Sequence, residues 1–316
     1  MSFFSKIKSN MFIRKVVFGW TKKGREKLKK EKEWYRDRRF VRDNAERLKN
    51  SIVDNNYKYK EKFREEISYI KKNNECKMYN YEWSEKYKNQ EIDVYEDTEL
   101  NLKYVIHKGK KLYFPKSYGY EAVKEGYRGL ILEQDKESPH RYLCNRFDVK
   151  GGVFCDIGCA EAMTSLEVID DVDKVILFEC SKEWKEALNA TFLPYANKVV
   201  LIDKFCGDEI DTAKTTLDET IDLLKITNDQ PIWVKMDVEG AELSVLKGAQ
   251  KVLENFNNVH LACTTYHNQN DDIVISEFAE LLKLNYSFSS NWIVFIYDLN
   301  GQKEPYFRHG LIYISK

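Results

Sequence analysis

The sequence predicts an α/β fold, a mainly parallel sheet with helices on both faces that an antiparallel pair closes at the C-terminus. Three observations carry this. Five short apolar runs of strand length recur in the second half, VFCDIG (153–158), KVILFEC (174–180), KVVLID (198–203), IWVKMD (232–237) and VHLACTTYH (259–267). Between most of them lie longer stretches with helical spacing, such as KEWKEALNATF (182–192) and ELSVLKGAQKVLENF (242–256); this alternation is the mark of parallel strands joined by helical crossovers. The tail breaks it: NWIVFIYDLNG (291–301) and HGLIYISK (309–316) are two strand-like runs with no helix between them, so they predict an antiparallel pair.

Ahead of that region the chain is organised differently. We divide it into a basic helical region (1–90), a hairpin and connecting segment (91–150) and the α/β domain (151–316). The formal net charge is zero, yet residues 1–90 carry 26 Lys and Arg against 13 Asp and Glu. Residues 1–20 interleave Phe3, Phe4, Ile7, Met11, Phe12 and Val16 with Lys6, Lys8, Arg14 and Lys15. As a helix this segment has one apolar and one cationic face. Such a helix can lie on an anionic membrane or pack on its own protein or a second copy; peripheral membrane contact through residues 1–24 and a homo-oligomer are both expectations. Farther on, Trp34, Val41, Ala45, Leu48 and Ile52 form a short apolar stripe on a charged helix, fit for a coiled coil or for docking on the main domain. Acidic residues interspersed with the basic ones, and the absence of a recognition module, argue against nucleic acid. ELNLKYVIHKGKKLYF (99–114) reads as a hairpin turning at Lys108-Gly109-Lys110. A short helix and the loop EQDKESPHRYL (133–143) lead to Gly151-Gly152.

No apolar run approaches the roughly 20 residues that cross a bilayer, and basic residues interrupt the N-terminus where a signal peptide needs an apolar stretch. The seven cysteines lack metal-ligand spacing, and Cys155 and Cys159 stand in apolar text. Free buried thiols in a reducing, cytoplasmic setting are expected.

Ligands of such sheets bind beyond the carboxyl ends of the strands. The first strand ends in DIGCAEA (156–162), which holds only one of the glycines that a dinucleotide pyrophosphate requires. An acidic residue before that glycine suits a ligand with positive charge and no phosphate, and S-adenosylmethionine, with its ammonium and sulfonium, is one. Glu179 closes the second strand, where a carboxylate can accept hydrogen bonds from ribose hydroxyls. Asp156, Gly158, Glu161 and Glu179 are therefore the candidate cofactor residues.

From about residue 120 onward the chain resembles the FkbM family of S-adenosylmethionine-dependent methyltransferases. The resemblance rests on EQDKESPH, CDIGCAEAMTSL, LFECSKEWKEAL, TTLDET, VKMDVEGAELSVLKGA and TYHNQND. It implies a Rossmann-like class I methyltransferase fold and methyl transfer, most often onto a hydroxyl; the implied acceptor is a glycan or glycolipid of the surface-polysaccharide type. Ala160 and Ala162 depart from the family loop, where a polar residue or Ala is followed by Gly. With Ala at 162 the backbone is expected to take φ < 0 or to shift slightly. Thr216-Leu217-Asp218 matches a family motif and reads as a helix N-cap.

The three carboxylates of WVKMDVEGAE (233–242) pose the catalytic question. Strand ends carrying Asp237 and Glu239, and Tyr266 and His267, should face one crevice. A hydroxyl must lose its proton as it attacks, and a positioned base contributes typically 10²–10⁴-fold. His267 is the candidate base, with Asp237 or Glu239 orienting it. His140 and Tyr266 are candidate acceptor contacts, and Glu242 reads as a first-turn structural residue. Asp237, Glu239 and His267 also offer metal ligands, although the resemblance requires none and we expect no metal. A scaffold protein with a vestigial fold is the competing class.

Overall fold

The structure is a computed structural model that describes residues 22–54, 56–144, 147–298 and 302–316, with only the helical backbone described for 22–37. The expected amphipathic segment 1–20 lies outside the described residues, as do residues 1–21 of the proposed membrane contact.

Seven strands form the central sheet. β4 (Val153–Ile157), β5 (Lys174–Phe178), β6 (Val199–Ile202), β9 (Ile232–Met236) and β10 (Val259–Thr264) are parallel, and β12 (Leu311–Ser315) runs antiparallel between β10 and β11 (Asn285–Phe288). Their order is β11-β12-β10-β9-β4-β5-β6, and β7 (Phe205–Cys206) and β8 (Lys214–Thr215) pair separately. The five expected parallel strands are thus present. Strands β4 and β9 are buried along their whole length, which is why they read as unbroken apolar runs rather than alternating ones. Side chains of alternate parity feed two cores. Cys155, Val234 and Cys263 pack on one face, Phe154, Trp233 and Ala262 on the other. Successive strands step outward from β4 to β5 and β6, and the chain then returns to β9 on the other side. The crevice for a ligand opens at this reversal, beyond the carboxyl ends of β4 and β9. This sheet, with helices α4 (Met163–Val168), α5 (Lys185–Phe192), α6 (Leu217–Leu223), α7 (Glu242–Lys247), α8 (Gln250–Asn255) and α9 (Asp271–Leu281), is the class I methyltransferase fold. Thr216 caps α6 as expected: its side chain accepts the Glu219 amide.

The tail differs from expectation in one strand. β12 does pair antiparallel, but its partner is Asn285–Phe288, and Trp292–Asp298 lies outside the sheet with a single bridge, Ile293 to Arg308. The apolar run is used elsewhere. Val294, Ile296 and Phe307 pack against Leu48 and Ile52 of α1 (Lys22–Val53) and Phe63, Ile67 and Ile70 in and beside α2 (Arg64–Asn73). Val41, Ala45, Leu48 and Ile52 therefore dock on the chain's own C-terminal segment. The hairpin also forms, as β2 (Leu102–His107) and β3 (Lys110–Phe114) with β1 (Tyr95–Asp97) alongside. Its turn is Lys108-Gly109, both at positive φ, the mirror-image turn that matches strand twist; Lys110 already belongs to β3. Helix α3 (Tyr120–Glu133) then leads toward β4. Among the described residues no helix is long and apolar enough to cross a membrane.

Candidate active site

One cavity of about 500 Å³ sits at the carboxyl ends of β4, β5 and β9. Its cofactor-side wall is the loop after β4. Gly158 has φ +72°, and a Cβ there would stand 1.9 Å from the Asp237 carbonyl oxygen. Only glycine lets the two loops meet. Asp156 and Lys235 are neighbours in the register of β4 and β9. They form a buried ion pair at 3.0 Å, and Lys235 Nζ also donates to the Gly158 carbonyl at 2.7 Å. Burial would lower the Lys235 pKa, but Asp156 and Asp237 raise it. Asp156 accepts in addition from Ser165 Oγ at 2.7 Å, so its carboxylate organises the loop from within. Glu179 accepts the Ala160 amide at 2.9 Å and the Ser181 amide at 2.7 Å. Glu161 lines the cavity half-buried, and burial pushes its carboxyl up to about 7. Ala160 and Ala162 both adopt left-handed backbone, φ +45° and +58°. The loop thus keeps the glycine-like conformation instead of moving to φ < 0, at a cost of about 1 kcal/mol per alanine.

The acceptor-side wall brings together residues from three separate segments. Tyr142 Oη donates to Asp237 Oδ2 at 2.7 Å, and His140 Nε2 lies 3.1 Å from both the Tyr142 and Tyr266 hydroxyls and 3.6 Å from Asp237. His140, expected to contact acceptor, is 2% exposed and lines the cavity with Tyr142, Asp237, Glu239 and Tyr266. Burial would raise the Asp237 pKa, yet His140, Lys235 and His267 hold it well below the carboxylate range.

His267 lies just behind this wall. Its Nδ1 is 2.8 Å from Glu242 Oε1, and its Nε2 is 3.5 Å from both Asp237 Oδ1 and Glu239 Oε2. The orienting carboxylate is therefore Glu242, where the sequence pointed to Asp237 or Glu239. Glu242 does open α7, as expected of a first-turn residue, but it is 1% exposed and also accepts from Thr264 Oγ1 at 2.9 Å. Desolvation would lower the His267 pKa, but Glu242 and Asp237 raise it above the ordinary imidazole value. Arg308 fixes the turn from below, its guanidinium bonding the Tyr266 and His267 carbonyls and Asp298. Single ligand atoms of Asp237, Glu239 and His267 lie within 4.8 Å of one another, so these three can hold a divalent ion.

Tyr142, Lys235 and Glu133 join the cavity wall beside the residues that the sequence nominates. Tyr142 had a signal, two positions beyond His140 in SPHRY, and Lys235 is a charged residue inside an otherwise apolar strand.

Residues 59–288 match the family described as the methyltransferase FkbM domain, and the chain belongs to that family of S-adenosylmethionine-dependent methyltransferases. No curated protein matches it. Among solved structures it is similar to a methyltransferase FkbM from Methylobacillus flagellatus KT, with 16% identity and a TM-score of 0.41 over 62% of this chain and 55% of that one. It thus spans about half of that relative. A precorrin-6y C5,15-methyltransferase from Geobacter metallireducens GS-15 aligns at 14% identity and TM-score 0.35, over 54% of this chain and 81% of that one. SMU.1697c from Streptococcus mutans, in complex with SAH, aligns at 17% and 0.36, over 53% and 89%. The cofactor is S-adenosylmethionine, and the site suits it: a glycine whose Cβ would clash, a carboxylate after β5, and a cavity without a phosphate-binding glycine loop.

Proposed function

We propose that the protein transfers a methyl group from S-adenosylmethionine to a hydroxyl of a glycan or glycolipid. The observation that carries this reading is the imidazole–carboxylate array, Glu242–His267 and His140–Tyr142–Asp237, built onto the wall that faces the cofactor loop. When bound, S-adenosylmethionine supplies a methyl group on a cationic sulfur. The chain's own residues do the rest. Lys235 ties Gly158 to Asp156 and so fixes the cofactor loop against the acceptor wall. Glu242 holds His267 with Nε2 toward Asp237, and that nitrogen receives the hydroxyl proton as the oxygen attacks. Asp237 then stabilises the imidazolium. Tyr142 and His140 keep Asp237 ionised and oriented, and alignment of acceptor and methyl group contributes through proximity.

Calorimetry with S-adenosylmethionine tests the cofactor half. Micromolar binding supports it, Glu179→Ala weakens it by about 1–3 kcal/mol, and no binding at millimolar ligand returns the protein to the scaffold class. For the catalytic half, His267→Ala lowers kcat at least about 10²-fold with cofactor affinity unchanged. A second reading has its own observation, the 4.8 Å cluster of Asp237, Glu239 and His267. Loss of activity on chelation, restored by a divalent ion, would make these three ligands instead of base and partners.

A further inference from the structure

The acceptor side of the cavity carries an excess of hydrogen-bond acceptors and of negative charge. Lys235 is matched by Asp156, and the imidazoles of His140 and His267, even protonated, are matched by Asp237 and Glu242. Glu179 is occupied by two backbone amides, and Glu239 is open to solvent. Glu161, in the cofactor loop, would face the ammonium of S-adenosylmethionine. That leaves Glu133.

Glu133 is an unusual residue for its position. It is the last residue of α3, where the helix dipole favours a cation and opposes a carboxylate. Its side chain is two-thirds buried at the cavity, and the ring nitrogen facing it, His140 Nδ1, stands 3.7 Å away, beyond hydrogen-bond range. Burial raises its pKa accordingly. Nothing about the helix or the core calls for a carboxylate there.

One orphaned atom points the same way. His140, which lines the cavity, has its Nδ1 buried without a hydrogen-bond partner. Because the Tyr142 hydroxyl donates to Asp237, its oxygen is free to accept from His140 Nε2–H. In the tautomer that carries the proton on Nε2, Nδ1 is a bare acceptor open to a donor. Glu133 shares the cavity lining with the rings of Tyr142 and Tyr266. A carboxylate among aromatic rings is a site for an organic cation. An anionic ligand would meet repulsion there, and a neutral hydroxyl would leave the carboxylate uncompensated.

We infer that the acceptor bears a protonated amine beside the hydroxyl that is methylated, with the ammonium held by Glu133 and His140 Nδ1 against the rings of Tyr142 and Tyr266. An amino sugar is the glycan class that fits. This rests on the methyl-transfer reading for the hydroxyl, but the ammonium site is tested by itself. Protein saturated with S-adenosylhomocysteine is titrated at pH 7 with glucosamine, glucose and glucuronate, using ligand-observed NMR, and S-adenosylhomocysteine binding is measured separately on the same sample. Glucosamine should bind at least about tenfold more tightly than glucose, with glucuronate weakest. Glu133→Gln should abolish the preference while S-adenosylhomocysteine still binds, which shows the variant folded. Equal behaviour of the three sugars, including no binding by any, overturns the inference, as does a preference that survives Glu133→Gln. Failure of the cofactor reading would appear instead as absent S-adenosylhomocysteine binding.

Discussion

His267 is held by Glu242 on one nitrogen and faces Asp237 and Glu239 with the other, and this arrangement makes opposite demands on stability and on catalysis. The imidazolium is favoured in the folded state, so the folded pKa lies above the unfolded one. The stabilisation is therefore fully present below the unfolded pKa and is lost as pH rises through the folded value. A base, by contrast, must be neutral. We predict that kcat climbs with pH above the ordinary imidazole value while the melting temperature falls over the same interval. Glu242→Gln should lower the pH at which both changes occur; a pH–rate profile beside a pH-resolved melt measures the two together, and an unmoved profile would remove His267 as the titrating group. Gly158 gives a steric prediction at the same scale. Gly158→Ala places a methyl against the Asp237 carbonyl, separating the cofactor loop from the acceptor wall. Loss of S-adenosylmethionine binding by calorimetry is expected, whereas Ala160→Gly, which relieves a left-handed alanine, should raise stability by about 1 kcal/mol.

Among the elements, Leu48 and Ile52 are fully buried against Val294, Ile296 and Phe307, so α1 is held to the domain by apolar contact. Leu48→Ala should cost about 2–5 kcal/mol, read as a lower urea midpoint; a change within about 0.5 kcal/mol would mean the helix is not part of the cooperative unit. This docking also explains what was legible in the sequence and what was not. The strands β4, β5, β9 and β10 were readable because a doubly covered parallel strand is apolar at most positions on both faces. Trp292–Ile296 has the same composition but is buried against helices, and composition alone cannot distinguish a sheet partner from a helix partner. NYSF, the actual partner of β12, has two exposed and two half-buried residues on the sheet edge, so it gave no apolar signal. Within the site, Asp237, His267 and Tyr266 were legible because strand ends in this fold converge. The role of Glu242 was not, because a glutamate in the first turn of a helix already has a sufficient reason in the dipole. Only the three-dimensional approach of Thr264 and His267 shows the second one.

For the whole molecule, charge is divided along the chain rather than balanced locally. Residues 1–90 hold 26 basic against 13 acidic side chains, while the cavity is lined by six carboxylates against two lysines. The described part of the head uses Val41, Ala45, Leu48 and Ile52 to dock; the basic residues of 1–24 stand well before that stripe in sequence, so removing them spares the docked contacts. Acceptors built on lipid carriers are presented at a membrane surface, and each basic residue near an anionic surface contributes about 1 kcal/mol. We predict salt-sensitive binding to anionic liposomes that is lost on deleting residues 1–24, with activity on a soluble acceptor and the melting temperature both retained. Co-sedimentation at low and high salt, beside light scattering of both chains, separates this from the alternative. If liposomes do not bind and the deletion splits an oligomer or lowers the melting temperature, the segment packs on protein instead, and the positive head serves assembly rather than delivery.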